Sequence, residues 1–271
     1  MFWSKIWFFV IAVAAAVALT IALLMPRPAE RQRLADERQR VVTACDVVNI
    51  LLRTNARSRI DLAGQFARSD VDVASFLGPA TNRRAITGEL SKTARPAATK
   101  LIENTSENAR PDLIALLDGR GRVVARAGMD NQKFGDSLAG FALVDEALDG
   151  YMRDDLWVVA RKLYLMAASP VIGSDYVGAV VVGHELDKDL ADQFVRQLGV
   201  DLGFYADNQV MVASDTVPIH DQILAAFEPL RGAESPIADD CREFEPFEAT
   251  VSDVGYIGVR ARLPGEAGER S

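Results

Sequence analysis

An uncharged stretch near the N-terminus constrains this chain more than any other feature. Residues 6–25 read IWFFVIAVAAAVALTIALLM, twenty consecutive residues without a charged side chain. At about 1.5 Å per residue, a helix of this length crosses a hydrocarbon core of about 30 Å. A cleaved signal peptide is the alternative, but it needs a small-x-small cleavage site, and this stretch ends in Leu23-Leu24-Met25-Pro26. We therefore predict an uncleaved transmembrane anchor in residues 1–29.

The basic residues around this span favour one membrane orientation. Lys5 alone precedes the span, whereas five arginines follow it between residues 27 and 40. Counted by the positive-inside rule, this asymmetry places the C-terminal bulk in the cytoplasm. The count disagrees with the periplasmic location that a family resemblance implies below.

The charge of the body excludes one class of ligand. The formal net charge of the chain is −8, and residues 1–33 carry +3, so the remainder carries −11. Such a body repels nucleic acid and anionic lipid surfaces. We therefore expect no nucleic-acid partner.

Few residues are suited to metal binding or to nucleophilic catalysis. Cys45 and Cys241 are in no CxxC motif, and the only histidines are His184 and His220, which we expect at the surface. The nucleophile elbow, SxxK, HExxH, Walker A and GxGxxG motifs are also absent from the sequence. The sequence thus predicts no metal, no cofactor and no enzymatic activity. The two cysteines can pair if the bulk lies in an oxidising compartment, but we expect two unpaired thiols.

Residues 30–110 begin with a long predicted helix. After Pro28, apolar residues recur three or four positions apart on one seam, which Arg38, Asn55 and Arg59 interrupt. The members of the seam are Leu34, Val41, Cys45, Val48, Leu52, Leu62 and Phe66. A spacing of about 3.5 residues suits two helices packed side by side. We predict a stalk helix that forms a parallel homodimer, and packing of the seam on its own domain is the alternative.

The remainder of this segment, residues 67–110, is polar and contains scattered alanine, glycine and proline. This composition predicts short helices and loops. The basic residues clustered here are expected to be solvated surface: Arg83, Arg84, Lys92, Arg95 and Lys100.

From Asp112 the pattern becomes that of β-strands. LIALLD and RVVARAG flank a glycine turn at residues 119–121, a helical pattern covers residues 141–150, and apolar runs at 163–172 and 176–182 flank Gly173-Ser174-Asp175. Runs rich in β-branched and aromatic residues, separated by turn residues, are typical of strands. The order of strand, strand, helix, strand, strand, strand predicts an antiparallel sheet with a helical connection on one side.

A second copy of this pattern begins at Asp201. DLIALLDGRGRVVA from Asp112 and DLGFYADNQVMVA from Asp201 share DLxxxxD, a turn and an apolar strand. A helix over 186–198, stopped by Gly199, links the copies. The second copy continues with a helix near 219–227 and strands near 247–251 and 256–263. Its sheet ends one strand early, so we expect an incomplete module and residues beyond Ser271.

This succession resembles the extracytoplasmic Cache sensor domain of bacterial transmembrane signalling receptors, in its double-Cache, PAS-like form. The resemblance implies a membrane-distal module at 111–186 and a membrane-proximal module at 187–271. It also implies a body in the periplasm, held to the bacterial inner membrane by the single span of this chain. The predicted class is therefore α+β, with a transmembrane helix, a stalk helix and two tandem modules with antiparallel sheets.

Four residues are predicted to bind a ligand on the helix-covered side of the first sheet. Trp157, Arg161 and Tyr164 lie in or just before its long strand, and Phe141 opens the facing helix. Arg161 is suited to a carboxylate, and the Trp157 and Tyr164 rings are suited to an apolar or cationic group. The alternative places Trp157 and Tyr164 in the core and Arg161 at the surface.

Two functions remain open on these observations. The first is the input domain of a membrane-anchored signalling protein, which binds an unidentified small molecule and transmits through the stalk helix and the span. The second is a membrane-anchored interaction or dimerisation module with a Cache-like fold and no small-molecule ligand.

Overall fold

The computed structural model describes residues 13, 15, 26–69, 72–128, 133–173, 175–206, 209–214, 241, 247–251, 254–259, 261 and 263. The span predicted at residues 6–25 lies outside them, apart from Val13 and Ala15. No helix in the described ranges combines the length and the apolar character that a membrane crossing requires. His220 and the helix predicted near 219–227 also lie outside the described residues.

The described elements confirm the α+β class. The helices are α1 (Pro26–Ala67), α2 (Ala74–Thr81), α3 (Gly88–Glu103), α4 (Ala142–Leu148) and α5 (Lys188–Leu198), and a 3₁₀ turn covers Glu107–Ala109. The first five strands are β1 (Leu113–Asp118), β2 (Val123–Ala127), β3 (Arg153–Val159), β4 (Lys162–Ile172) and β5 (Tyr176–Glu185). The later strands are β6 (Gly203–Ala206), β7 (Gln209–Ala213), β8 (Phe247–Val251) and β9 (Val254–Gly258).

Helix α1 is the predicted stalk helix, but the C-terminal part of its seam packs on its own domain. Val48 and Leu52 pack against residues of β3, β4 and α5, and Leu62 and Phe66 pack among α2, α3 and the sheet. All four are at most 9 % exposed. A dimer that uses these four residues is therefore excluded, because one chain already buries them.

The segment predicted to be short helices and loops contains a longer helix than expected. Helix α3 runs for 16 residues through Pro96, and the side chain of its N-cap, Thr87, accepts a hydrogen bond from the Leu90 backbone N–H. Its stripe of small residues, Ala94, Ala97 and Ala98, is buried. A helix of this length was not predicted from the sequence, because each scattered alanine contributes little to an apolar pattern.

Five strands form the central sheet in the order β2-β1-β5-β4-β3, and every neighbouring pair is antiparallel. Because successive side chains alternate between faces, the sheet supports two cores. One face packs against α1, α2 and α3, and the other packs against α4. The predicted sheet with a helical connection on one side is confirmed.

The chain divides into two compact units. The larger unit comprises residues 47–239 and 262–271, and the smaller comprises residues 1–46 and 240–261. In the larger unit, β6 pairs with β7, and Gly199 ends α5 in the left-handed conformation at φ 67°. In the smaller unit, β8 pairs with β9. The boundary predicted at residue 187 stays a prediction.

A disulfide bond joins Cys45 and Cys241 within the smaller unit. The expectation of two unpaired thiols was therefore wrong. The two residues are 196 positions apart, and nothing local in the sequence indicates that they meet.

Candidate functional site

The face of the sheet covered by α4 brings three of the four predicted ligand-binding residues together. Phe141 is the N-cap of α4, and its ring centroid lies 4.6 Å from that of Trp157 on β3. Trp157 pairs across the ladder with Tyr164 on β4. All three pack with α4, whose Leu143 and Val144 are fully buried. We call this set of three rings the aromatic cluster.

A buried carboxylate lies beside the aromatic cluster, and sequence reasoning missed it. Asp155 is 4 % exposed, and its Oδ2 accepts a hydrogen bond of 2.9 Å from the indole Nε1 of Trp157. Its Oδ1 accepts a second hydrogen bond, from the backbone N–H of Leu156. The sequence did contain a signal for the position of Asp155, because residues i and i+2 of a strand share a face. An acid two positions before a core tryptophan therefore belongs to the same face.

Charged groups lie next to Tyr164 at the strand ends. The Lys162 Nζ donates a hydrogen bond of 2.8 Å to Glu185 Oε2, and the Asp112 carboxylate accepts one from the Glu185 backbone N–H. Burial raises the pKa of the Tyr164 hydroxyl above its ordinary value, and the charge of Glu185 raises it further. Tyr164 is therefore a neutral hydrogen-bonding group at physiological pH.

The fourth predicted residue, Arg161, lies apart from the aromatic cluster. It occupies the exposed two-residue turn between β3 and β4, where Ala160 and Arg161 have φ values of 51° and 62°. Left-handed backbone is unfavourable for residues other than glycine by roughly 1–2 kcal/mol. The guanidinium donates a hydrogen bond of 3.2 Å to Gln209.

On the opposite face of the sheet lie two further polar groups, Arg59 on α1, which is buried, and His184 on β5, which is half-buried. Arg59 is 7 % exposed, and its nearest acid, Asp154, is 3.9 Å away. His184 Nε2 lies 3.3 Å from the carbonyl oxygen of Ala109, to which it donates when protonated there. Its Nδ1 is buried and has no hydrogen-bond partner among the described residues. The sequence predicted a surface position for His184, and the structure places it half-buried near the end of β5.

The environment of His184 predicts a pH-dependent stability. Burial lowers the pKa of His184, and the charge of Arg59 lowers it further, against the opposing hydrogen bond to Ala109 and the charge of Asp112. The unfolded chain, with an ordinary pKa of about 6.5, then binds more protons than the folded chain at mildly acidic pH. We expect the contribution of His184 to be complete above about pH 6.5 and to be lost as the pH falls towards the folded pKa.

Urea denaturation of the full chain and of His184→Gln between about pH 8 and about pH 5 tests this expectation. The variant keeps a donor for the Ala109 carbonyl but does not titrate. The stability advantage of the unmodified chain over the variant should shrink as the pH decreases. A difference that stays constant across this range would contradict the assignment.

Comparison with known proteins places this architecture among sensory domains. Residues 80–233 match the family model dCache_3, described as a double sensory domain of two-component sensor kinases. The sensor domain of the Vibrio cholerae histidine kinase DctB superposes with a TM-score of 0.50 at 15 % identity, over 84 % of this chain and 92 % of that one. The ligand-binding domain of the Campylobacter jejuni chemoreceptor Tlp3, in complex with 4-methylisoleucine, gives 0.50 at 12 % identity, over 84 % and 86 %. No curated protein sequence matches the chain.

Proposed function

The chain belongs to the double Cache family of sensory domains, and on that premise we propose that it is the ligand-binding input domain of a membrane-anchored signalling protein. Residues 6–25 anchor it, and α1 leads from the anchor towards the sheet. A ligand that binds one arrangement of sheet and helix better than another shifts their populations by its differential affinity. The long helix then carries that shift towards the membrane.

The disulfide supports a periplasmic location for the body. Disulfides form and persist in oxidising compartments and are rare in the bacterial cytoplasm. The Cys45–Cys241 bond therefore favours the location implied by the family over the one implied by the arginines after the span.

The observation that carries ligand binding is the aromatic cluster beside Asp155. Three rings meet there next to a carboxylate that is 4 % exposed. Aromatic faces and an acid together favour a ligand with a cationic amino group. The Tlp3 domain is in complex with 4-methylisoleucine, which supports testing α-amino acids first.

A thermal-shift screen of the full chain in detergent tests the proposed site. We expect an amino acid or amine to raise the melting temperature, because a ligand that binds only the folded state stabilises it by linkage. Trp157→Phe removes the N–H that bonds Asp155, and Tyr164→Phe removes one hydroxyl. Each should weaken binding by about tenfold, the effect of roughly 1.4 kcal/mol.

Tyr151→Phe is the matched control for Tyr164→Phe. Tyr151 is 68 % exposed, so the same chemical change there should leave binding unaltered. If no compound of either class shifts the melting temperature of the folded protein, the interaction module becomes the better function. The close packing of α4 on the aromatic cluster is the observation that favours this alternative.

Arg161 is tested separately, because it lies outside the aromatic cluster. Glycine adopts positive φ without strain, so Arg161→Gly should stabilise the fold by about 1 kcal/mol. If Arg161 holds the ligand carboxylate, the same variant should also weaken binding in the screen. Higher stability with unchanged affinity would remove Arg161 from the proposed site.

The proposed homodimer then uses a face of α1 that one chain leaves uncovered. Ile50 is 60 % exposed, whereas Val48 is 5 % exposed. We expect Ile50→Cys to form disulfide-linked dimers in membranes, and Val48→Cys to remain monomeric. The native cysteines do not compete, because they are paired with each other. Dimer bands from Val48→Cys alone would contradict the packing of α1, and their absence from both variants would contradict a dimer through this helix.

A further inference from the structure

A cavity lies on the other side of the sheet from the aromatic cluster. It has a volume of about 570 Å³ and is lined by the C-terminal part of α1, the end of α3 and the turn that follows α3. Small-molecule sites in proteins typically enclose about 300–1,000 Å³. The cavity is therefore large enough for a small organic ligand.

The lining of this cavity combines positive charge with an apolar surface. Its polar residues are Gln65, Arg68, Ser69, Lys100, Asn104, Thr105 and Ser106. Its apolar residues include Leu62, Phe66 and Leu101, which are 9 %, 6 % and 2 % exposed. Among the described residues, no aspartate or glutamate lines it, although the chain as a whole carries a net charge of −8.

The two cations in the lining have no acidic partner among the described residues. The salt bridges there involve neither Arg68 nor Lys100. Thr105 lies just beyond α3, and its hydroxyl already donates to the Leu101 carbonyl. The arginine, the lysine and the two side-chain amides are thus the groups available to a ligand.

We propose that this cavity is a second binding site, and that its ligand is a small organic carboxylate. The planar guanidinium of Arg68 suits a carboxylate because it can donate two parallel hydrogen bonds, and Lys100 supplies a second positive charge. The apolar part of the ligand then packs on Phe66 and Leu101. Inorganic phosphate satisfies the cations but not this apolar surface.

Isothermal titration of the full chain in lipid nanodiscs tests the proposal, with benzoate as the probe. Benzyl alcohol has the same ring without the charge, and inorganic phosphate has charge without the ring. We expect benzoate to bind at least about tenfold more tightly than either. Equal affinity for phosphate or for benzyl alcohol, or no binding of benzoate to folded protein, would overturn the proposal.

Variants locate the bound probe. Arg68→Gln and Lys100→Gln should each weaken benzoate binding by about tenfold or more, because each removes a charge-assisted hydrogen bond. Lys92→Gln is the matched control, since it removes the same charge from an exposed position of α3 that does not line the cavity. Trp157→Phe should leave benzoate binding unchanged. Loss of binding in Trp157→Phe with retention in Arg68→Gln would place the probe at the aromatic cluster and refute the second site.

Discussion

Replacing Arg122 by alanine is expected to lower the free energy of unfolding by about 3–5 kcal/mol, the cost of breaking a buried ion pair by removing one partner. Asp118 is fully buried, and Arg122 is its salt-bridge partner. Arg122 Nε and Nη2 donate to Asp118 Oδ2 at 2.8 and 2.6 Å. Without the guanidinium, the carboxylate keeps, among the described residues, the backbone N–H groups of Arg120 and Arg122 as its hydrogen-bond donors.

The same guanidinium also ends a helix. Its Nη2 donates to the carbonyl oxygens of Ala80 and Arg83, and its Nη1 donates to that of Arg84. These carbonyls lie at or just beyond the end of α2, where the last turn of a helix leaves its C=O groups without intrahelical partners. A cation there also opposes the negative end of the helix dipole. Arg122 thus makes five side-chain hydrogen bonds, two to Asp118 and three to backbone carbonyls at or just beyond the end of α2. It joins the β1–β2 turn to α2 in this way only while its charge and its fork geometry are both kept.

Urea denaturation, followed by circular dichroism, measures this effect, and the same turn supplies the control. Arg120→Ala removes an exposed arginine two positions away and should change stability by less than about 0.5 kcal/mol. Arg122→Lys keeps the charge but not the fork, so its stability should lie between the two. Adding Asp118→Asn to Arg122→Ala should recover part of the loss, because the unpaired charge is then gone. A loss in Arg122→Ala no larger than that in Arg120→Ala would show that the ion pair does not stabilise the fold.

The strands of the sheet could be predicted from sequence because their signal is local. Buried β4 and β5 are apolar runs with turn residues between them, and β1 and β2 flank a glycine turn. The end of α5 at Gly199 could also be predicted, because a left-handed cap residue is usually glycine. In each case, the residues that determine the structure lie within a few positions of it.

Features that depend on distant parts of the chain could not be predicted. The seam of α1 has the same spacing whether it faces another helix or its own sheet, so periodicity alone did not distinguish a dimer from a core. The strand order β2-β1-β5-β4-β3 follows from packing between segments far apart in sequence. Arg59 is buried against the general tendency of arginine to be exposed.

The same distinction between local and distant signals holds for the candidate site. Phe141, Trp157 and Tyr164 were singled out because each lies in or beside a predicted element, and the structure brings their side chains together. Arg161 was grouped with them by its closeness in sequence, but the turn between β3 and β4 sets it apart. The cavity beside Lys100 was not predicted, because its walls come from α1 and α3, two segments that no sequence pattern links.

Loss of the disulfide is expected to destabilise the chain by about 3–5 kcal/mol, because the bond restricts the unfolded state. Cys45 and Cys241 are separated by 196 residues, and in the chain-entropy model the stabilisation increases with the length of the closed loop. Cys45→Ser should therefore lower the melting temperature by roughly 10 °C for a chain of this size. A reducing agent should lower that of the unmodified protein by a similar amount and should leave the variant unchanged.

The location of the disulfide predicts which segment is destabilised first when the bond is lost. Within the smaller unit, Cys45 lies on α1 and Cys241 precedes the β8–β9 hairpin, which is also joined to α1 by the Arg38–Glu248 ion pair at 2.5 Å. That ion pair is solvent-exposed, and such pairs contribute at most about 1 kcal/mol, so the disulfide is the stronger link. In Cys45→Ser, amide hydrogen exchange should accelerate in residues 247–258 and stay slow in β1, whose side chains are all buried. Equal acceleration in both segments would mean that the disulfide stabilises the chain as a whole, and unchanged exchange in residues 247–258 would mean that the hairpin is held without it.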